Sequence, residues 1–161
     1  MISAPGGNHD LRAMPYRRIL VGWDASPDSV TALRAAAALA SSVAQGYVVA
    51  MSVLSEIRGP EHNDETTSPV RRVLAVFESA LASIDIPARA AISLHTEEGN
   101  HPAHALCEYA HMHGFDLLVL GRHGNEGIFH PKLGHVAHAV ARASEIPVLL
   151  VSTPAGFGAP Q

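Results

Sequence analysis

Four glycines, Gly121, Gly124, Gly127 and Gly134, fall in one segment that also carries Arg122 and Lys132. Glycine has no Cβ to shield its backbone, so such a segment can turn several N–H groups toward one anion, and the two cations add positive charge. The segment also runs into a helical pattern at His135, and a helix N-terminus favours negative charge. The chemistry on offer is phosphate binding. A plain surface loop needs glycine for its turns as well, and composition alone leaves the two readings even. A second candidate is Gly22-Trp23-Asp24, a specialised turn at the end of an apolar run, where an open α/β sheet takes ligands.

Eleven histidines stand out in the composition. His123, His130, His135 and His138 fall in or near the glycine segment. His130 and His138 read as ordinary solvent-facing residues, whereas His123 and His135 are placed to give a pH-sensitive anion pocket. His104, Glu108 and His111 share one face of a helical pattern at metal-ligand spacing, but with no fourth ligand evident that face reads as the solvated side. Cys107 falls on the opposite, apolar face and reads as a small buried hydrophobe. The chain contains no GxxxxGK[ST], no GxGxxG after its first strand, and no GxSxG or HExxH. The common NTPase loop is therefore excluded, a dinucleotide oxidoreductase is argued against, and the familiar hydrolase motifs are lacking.

These residues need elements to hold them. Apolar runs with β character alternate with helical patterns, which predicts a parallel α/β sheet. The strands are expected at Arg18–Gly22, Tyr47–Val53, Arg89–Leu94, Phe115–Leu120 and Ile146–Val151. Helices are expected from Ser26-Pro27 to about Ala44, from about Pro69 to Ile84, from Pro102 to Gly114, and over about His135–Ala143. Val30, Leu33, Ala37 and Ala40 mark the inner face of the first helix. Val70, Val73, Leu74, Phe77 and Leu81 mark that of the second, and Ala103, Leu106, Cys107 and Ala110 that of the third. The expected fold is an open, doubly wound five-stranded parallel sheet with four helices, a three-layer αβα sandwich. Residues 1–15 read as a flexible leader, 16–152 as the domain and 153–161 as a flexible tail; Ser55–Ser68 reads as an exposed loop.

With 47% apolar residues over 161 positions, the chain can bury a core. Eleven Lys+Arg against fifteen Asp+Glu give a formal charge of −4, which argues against a phosphate-backbone binder, so no nucleic acid is expected as partner. The apolar runs fall short of the ~18 residues of a membrane span, so no membrane is expected either, and the expected location is cytoplasmic. A lone cysteine excludes an internal disulfide framework and a multi-cysteine zinc site.

Gly121-x2-Gly124-x9-Gly134 resembles the ATP-binding signature of universal stress protein domains, G-x2-G-x9-G-[S/T]. ILVGWDASPDS, Gly99-x-x-Pro102-Ala103, DLLVLG and IPVLLV resemble the other landmarks of that family, in order, from about Tyr16 to Ser152. The resemblance implies strand order 3-2-1-4-5, with the nucleotide between strands one and four. It implies that Gly22, Trp23 and Asp24 lie beside the nucleotide, Asp24 near a nucleotide-bound Mg2+, and that the backbone of Val53 meets adenine. Leu120, Gly121 and Arg122 would flank the ribose and phosphates, and Gly124, Gly134, His135 and Val136 would wrap the phosphate chain. It further implies an ATP-binding stress-response or regulatory module with slow hydrolysis at most, a homodimer joined through strand 146–151, and a regulatory protein partner. One position departs from the pattern: His135 stands where ATP-binding members carry Ser or Thr. An imidazole also donates a hydrogen bond but is bulkier. That leaves a second reading, a dimeric interaction protein of the same fold that binds no nucleotide. A third, an adenylate-transferring enzyme, has no residue that demands it.

Overall fold

A computed structural model describes residues 16–54, 68–87, 91–124 and 133–154. The expectations for the leader, for most of the loop after the second strand, for Gly127, His130 and Lys132, and for the tail beyond Pro154 lie outside these residues. Five strands, β1 (Arg18–Gly22), β2 (Tyr47–Leu54), β3 (Ala91–Glu98), β4 (Leu117–Gly121) and β5 (Val148–Val151), alternate with four helices. The helices are α1 (Pro27–Ser41), α2 (Pro69–Ser83), α3 (Pro102–Met112) and α4 (His135–Ala143). All strand pairs are parallel and the sheet order is β3-β2-β1-β4-β5. The expected α/β architecture and strand order are both present.

Burial follows position in the sheet. Central β1 and β4 read as continuous apolar runs because helices cover both faces, and Ile19, Leu20, Val21, Leu118 and Val119 are fully buried. The twofold alternation of a strand divides these residues between two cores. Ile19, Val21, Leu117 and Val119 pack with Ala32, Leu33, Ala36 and Ala40 of α1 and Phe77 of α2. Leu20, Leu118 and Leu120 pack with Met51, Leu106, Ala110, Phe115 and Val140 on the α3–α4 side. The alanines of α1 leave little side chain between helix axis and sheet, so its first turn can lie against the end of β4.

Several boundaries differ from expectation for local reasons. α1 ends at Ser41 rather than near Ala44, since the Ser41 and Ser42 hydroxyls donate to the carbonyls of Ala38 and Leu39. Gln45 then takes a positive φ of 59°, and a Cβ on Gly46 would collide with the Ala40 carbonyl oxygen. Val30 is only half-buried; the true inner face is Ala32, Leu33, Ala36, Ala37 and Ala40. β3 runs on through His95-Thr96-Glu97-Glu98 because an edge strand keeps one side toward water, and these residues pair with Met51–Leu54. β4 begins at Leu117 and β5 at Val148, since Asp116 and Pro147 precede the ladders. Of the inner face expected of α2, Phe77 is buried and Val73 and Leu81 pack against the same core, whereas Val70 and Leu74 are exposed along with Val76. Cys107 is half-buried rather than fully buried, and burial raises its thiol pKa above the ordinary value.

Candidate functional site

At the carboxyl end of β1 the Trp23 N–H still donates to the Met51 carbonyl, 2.9 Å away, so the chain leaves the sheet only after Trp23. The indole is buried edge-on against Phe77, with ring centroids 5.3 Å apart. The next residue, Asp24, turns the chain: its Oδ1 accepts the Ser26 N–H at 3.0 Å, an Asx-turn that also holds Ala25 at a φ of 63°. Ser26 caps α1, its hydroxyl accepting the Ser29 N–H, and Pro27 takes the first helical position.

The other half of the site comes from the segment after β4. The Arg122 N–H donates to the Val151 carbonyl at 2.6 Å, and the Gly134 N–H donates to the Arg122 carbonyl at 2.9 Å. The start and the end of the glycine segment therefore lie side by side. A Cβ on Gly124 would stand 2.9 Å from Asp24 Oδ2, and one on Gly134 would stand 3.6 Å from the Gly124 nitrogen. Turn and glycine segment thus meet where the sheet order reverses between β1 and β4, the place where open α/β sheets take ligands. Gly134 takes the N-cap position of α4 and, lacking a side chain, supplies no side-chain cap of its own.

Beside Asp24 a cleft of about 330 Å3 opens between Trp23, Asp24 and Ala25, the end of β2 at Ser52, Val53 and Leu54, and Arg72, Val73 and Val76 of α2. The α2 residues were not legible as site residues, because nothing in their spacing separates them from ordinary helix positions. Of the residues expected at the site, the fold brings Trp23, Asp24 and Val53 together around the cleft, with Gly124 against Asp24 and Gly134 beside Arg122 and Gly124, whereas Gly121 lies against the first turn of α1 at Asp28. Gly22 faces Leu120, whose side chain occupies the space a Cβ would need. His135 and Val136 start α4, but His135 is exposed and both line a different feature, an open groove of about 920 Å3 between α3 and α4. In that groove His104 lies 3.6 Å from Glu108, and His111 lies 3.2 Å from Glu145. Among the described residues no group of three His, Cys, Asp or Glu side chains is arranged to hold a metal ion.

His123 does not stand open to the site as a free imidazole. Its Nδ1 lies 3.1 Å from Asp28 Oδ2, which also accepts the His123 N–H at 3.0 Å. Asp28 Oδ1 accepts the Thr153 N–H at 2.7 Å. Burial works to raise the Asp28 pKa, but the hydrogen bonds from Thr153 and His123 outweigh it and hold the carboxyl below its ordinary value. The stability Asp28 contributes is therefore fully present above the unfolded carboxylate value of ~3.9 and is lost as pH falls through the lower folded value. Unfolding free energies of wild type and Asp28→Asn should differ at about pH 7 and converge at strongly acid pH; a gap that stays constant into acid would show the carboxylate charge to be irrelevant.

Comparison with known proteins agrees with the fold. A sequence model of the universal stress protein family matches residues 15–152. Universal stress protein YxiE of Bacillus subtilis is 33% identical over 149 residues, covering 84% of this chain and 99% of the relative. A universal stress protein solved in complex with cAMP is 27% identical and superposes with a TM-score of 0.62 over 88% of this chain and 100% of its own. The universal stress protein from Archaeoglobus fulgidus solved with dAMP is 24% identical, with a TM-score of 0.57 over 86% of this chain and 99% of its own. With the family's pattern matched across nearly the whole chain and its sheet order reproduced strand by strand, this chain belongs to the universal stress protein family.

Proposed function

We propose that this protein is an adenine-nucleotide-binding regulatory module of the stress response, acting in the cytoplasm, that binds ATP with Mg2+ and turns it over slowly at most. The observation that carries the reading is the convergence of Asp24, Gly124 and Gly134 at the sheet reversal, beside a cleft floored by Trp23 and the end of β2. The cleft has apolar walls in Val73 and Val76 and backbone edges at Ser52–Leu54, which suit a purine. Gly124 and Gly134 carry no Cβ to hold a phosphate away from the backbone, with the start of α4 behind them. Asp24 suits a cation carried in by the phosphates. The related universal stress protein crystallised with cAMP supports an adenine ligand. A lone, half-buried Cys107 suits a reducing compartment.

Thermal unfolding with and without ATP and Mg2+ tests this. Ligand at about a hundredfold its Kd should stabilise wild type by about 2.7 kcal/mol. Gly124→Val should abolish that gain, because its Cβ would press on the Asp24 carboxylate and cover the backbone. Equal responses from the two proteins would remove the glycine segment from the site.

The regulatory reading includes a homodimer and a protein partner that senses occupancy. β5 is the sheet edge and its Leu149 is 37% exposed, an apolar edge of the kind that pairs or is covered. Light scattering at tens of micromolar should give twice the chain mass, and Leu149→Lys should give one chain mass. A wild type that remains monomeric would count against this edge.

A further inference from the structure

Both oxygens of the Asp28 side chain are engaged by residues far along the chain. Oδ1 takes the Thr153 N–H just after β5, and Oδ2 takes the His123 N–H just after β4 and faces that residue's Nδ1. The side chain is 12% exposed, so water competes little for it. An ionised carboxylate accepts only, and so meets these donors without opposing a proton of its own. The neighbouring contacts point the same way: Gly121 lies so close that a Cβ there would stand 2.7 Å from Asp28 Cβ. The start of α1, the exit of β4 and the exit of β5 therefore meet on one side chain. His123 is followed directly by Gly124, which lies against Asp24.

We infer that Asp28 is the positioning residue for the phosphate side of the cleft, setting the place of Gly124 against Asp24 through its hold on His123 without touching the ligand. This rests on the nucleotide reading above. ATP depends on the placement of the 122–124 backbone, whereas adenosine, which has no phosphates, does not. Asp28→Asn keeps size and shape but replaces one acceptor with an NH2 donor, so either the His123 or the Thr153 N–H loses its partner.

The full-length chain is titrated with ATP plus Mg2+ and separately with adenosine. Asp28→Asn should weaken ATP roughly tenfold or more and leave adenosine within about twofold. His123→Phe, which removes Nδ1 but keeps the backbone donor, should shift the same ratio by less, and it decides the matter if Asp28→Asn does not fold. A purely structural role would lower the melting temperature and leave the ratio of ATP to adenosine affinity where it was, and that result overturns the inference. If wild type binds neither ligand, the nucleotide reading fails and the amide spectrum decides separately. Asp28→Asn should then move the His123 and Gly124 amide resonances while those of β2 stay in place. An unmoved Gly124 amide overturns the positioning role.

Discussion

Leu20→Ala is expected to destabilise the protein by about 3–5 kcal/mol, among the largest effects open to a single truncation in this fold. Leu20 lies at the middle of the central strand, paired with Val49 of β2 on one side and Leu118 of β4 on the other. It is fully buried among Met51, Leu106, Phe115, Leu118, Leu120 and Val140. Those neighbours come from four different elements and the turn before β4 and cannot all collapse into the space left behind, so the loss is hydrophobic transfer plus cavity. Urea unfolding followed by Trp23 fluorescence reads it, since the indole is buried against Phe77 and should become exposed on unfolding. Met112→Ala, at the exposed end of α3, serves as the reference and should cost less than about 1 kcal/mol. Similar losses from both would mean that the α3–α4 side packs loosely.

The second large effect is expected at Gly121. A Cβ there would stand 2.7 Å from Asp28 Cβ, 2.9 Å from the Asp28 carbonyl carbon and 3.0 Å from the Ser29 nitrogen. Two of those atoms are helix backbone and the third is fixed directly to it, so no rotamer change relieves the contact. Gly121→Val must push β4 and α1 apart, at a cost of about 3 kcal/mol. It should also separate Asp28 from His123 and so weaken nucleotide binding. Gly22→Ala is the informative contrast, because the atom in its way is the far end of the Leu120 side chain, which can rotate. Its cost should stay near 1 kcal/mol. Unfolding curves for both variants separate backbone jamming from side-chain crowding. A Gly121→Val protein as stable as wild type would show that the helix can yield.

The contrast changes what the glycine pattern means. Read as spacing, Gly121, Gly124 and Gly134 form a phosphate cradle. In the fold Gly121 is required by the approach of α1 to β4, whether or not a ligand is present. Gly124 and Gly134 face Asp24 and each other, and they keep the functional reading. The first position of the motif thus answers to packing, which leaves the other two for the phosphate contact proposed above.

Sequence alone determined the alternation of strands and helices, the continuous burial of Ile19–Val21 and Leu117–Leu120, the capped start of α1 at Ser26-Pro27, and the two turns that flank the site. These follow from local physics: apolar periodicity, capping chemistry and glycine's backbone act over a few residues and leave their mark on neighbouring positions. The sheet order came with the family resemblance, since pairing of distant strands has no local signature. Tertiary structure alone decided that α2 would turn Val70 and Leu74 outward and lend Arg72, Val73 and Val76 to the cleft, and that His135 would stand exposed beside the α3–α4 groove. It also decided the partnership of Asp28 with His123 and Thr153, across 95 and 125 positions of chain. An acidic residue in the first turn of a helix is already accounted for by the helix dipole, so its sequence position gives no sign of a second role. Only when the sheet brings the exits of β4 and β5 over the start of α1 do two distant N–H groups arrive within reach, and a buried carboxylate must then be satisfied by whatever the fold has carried to it.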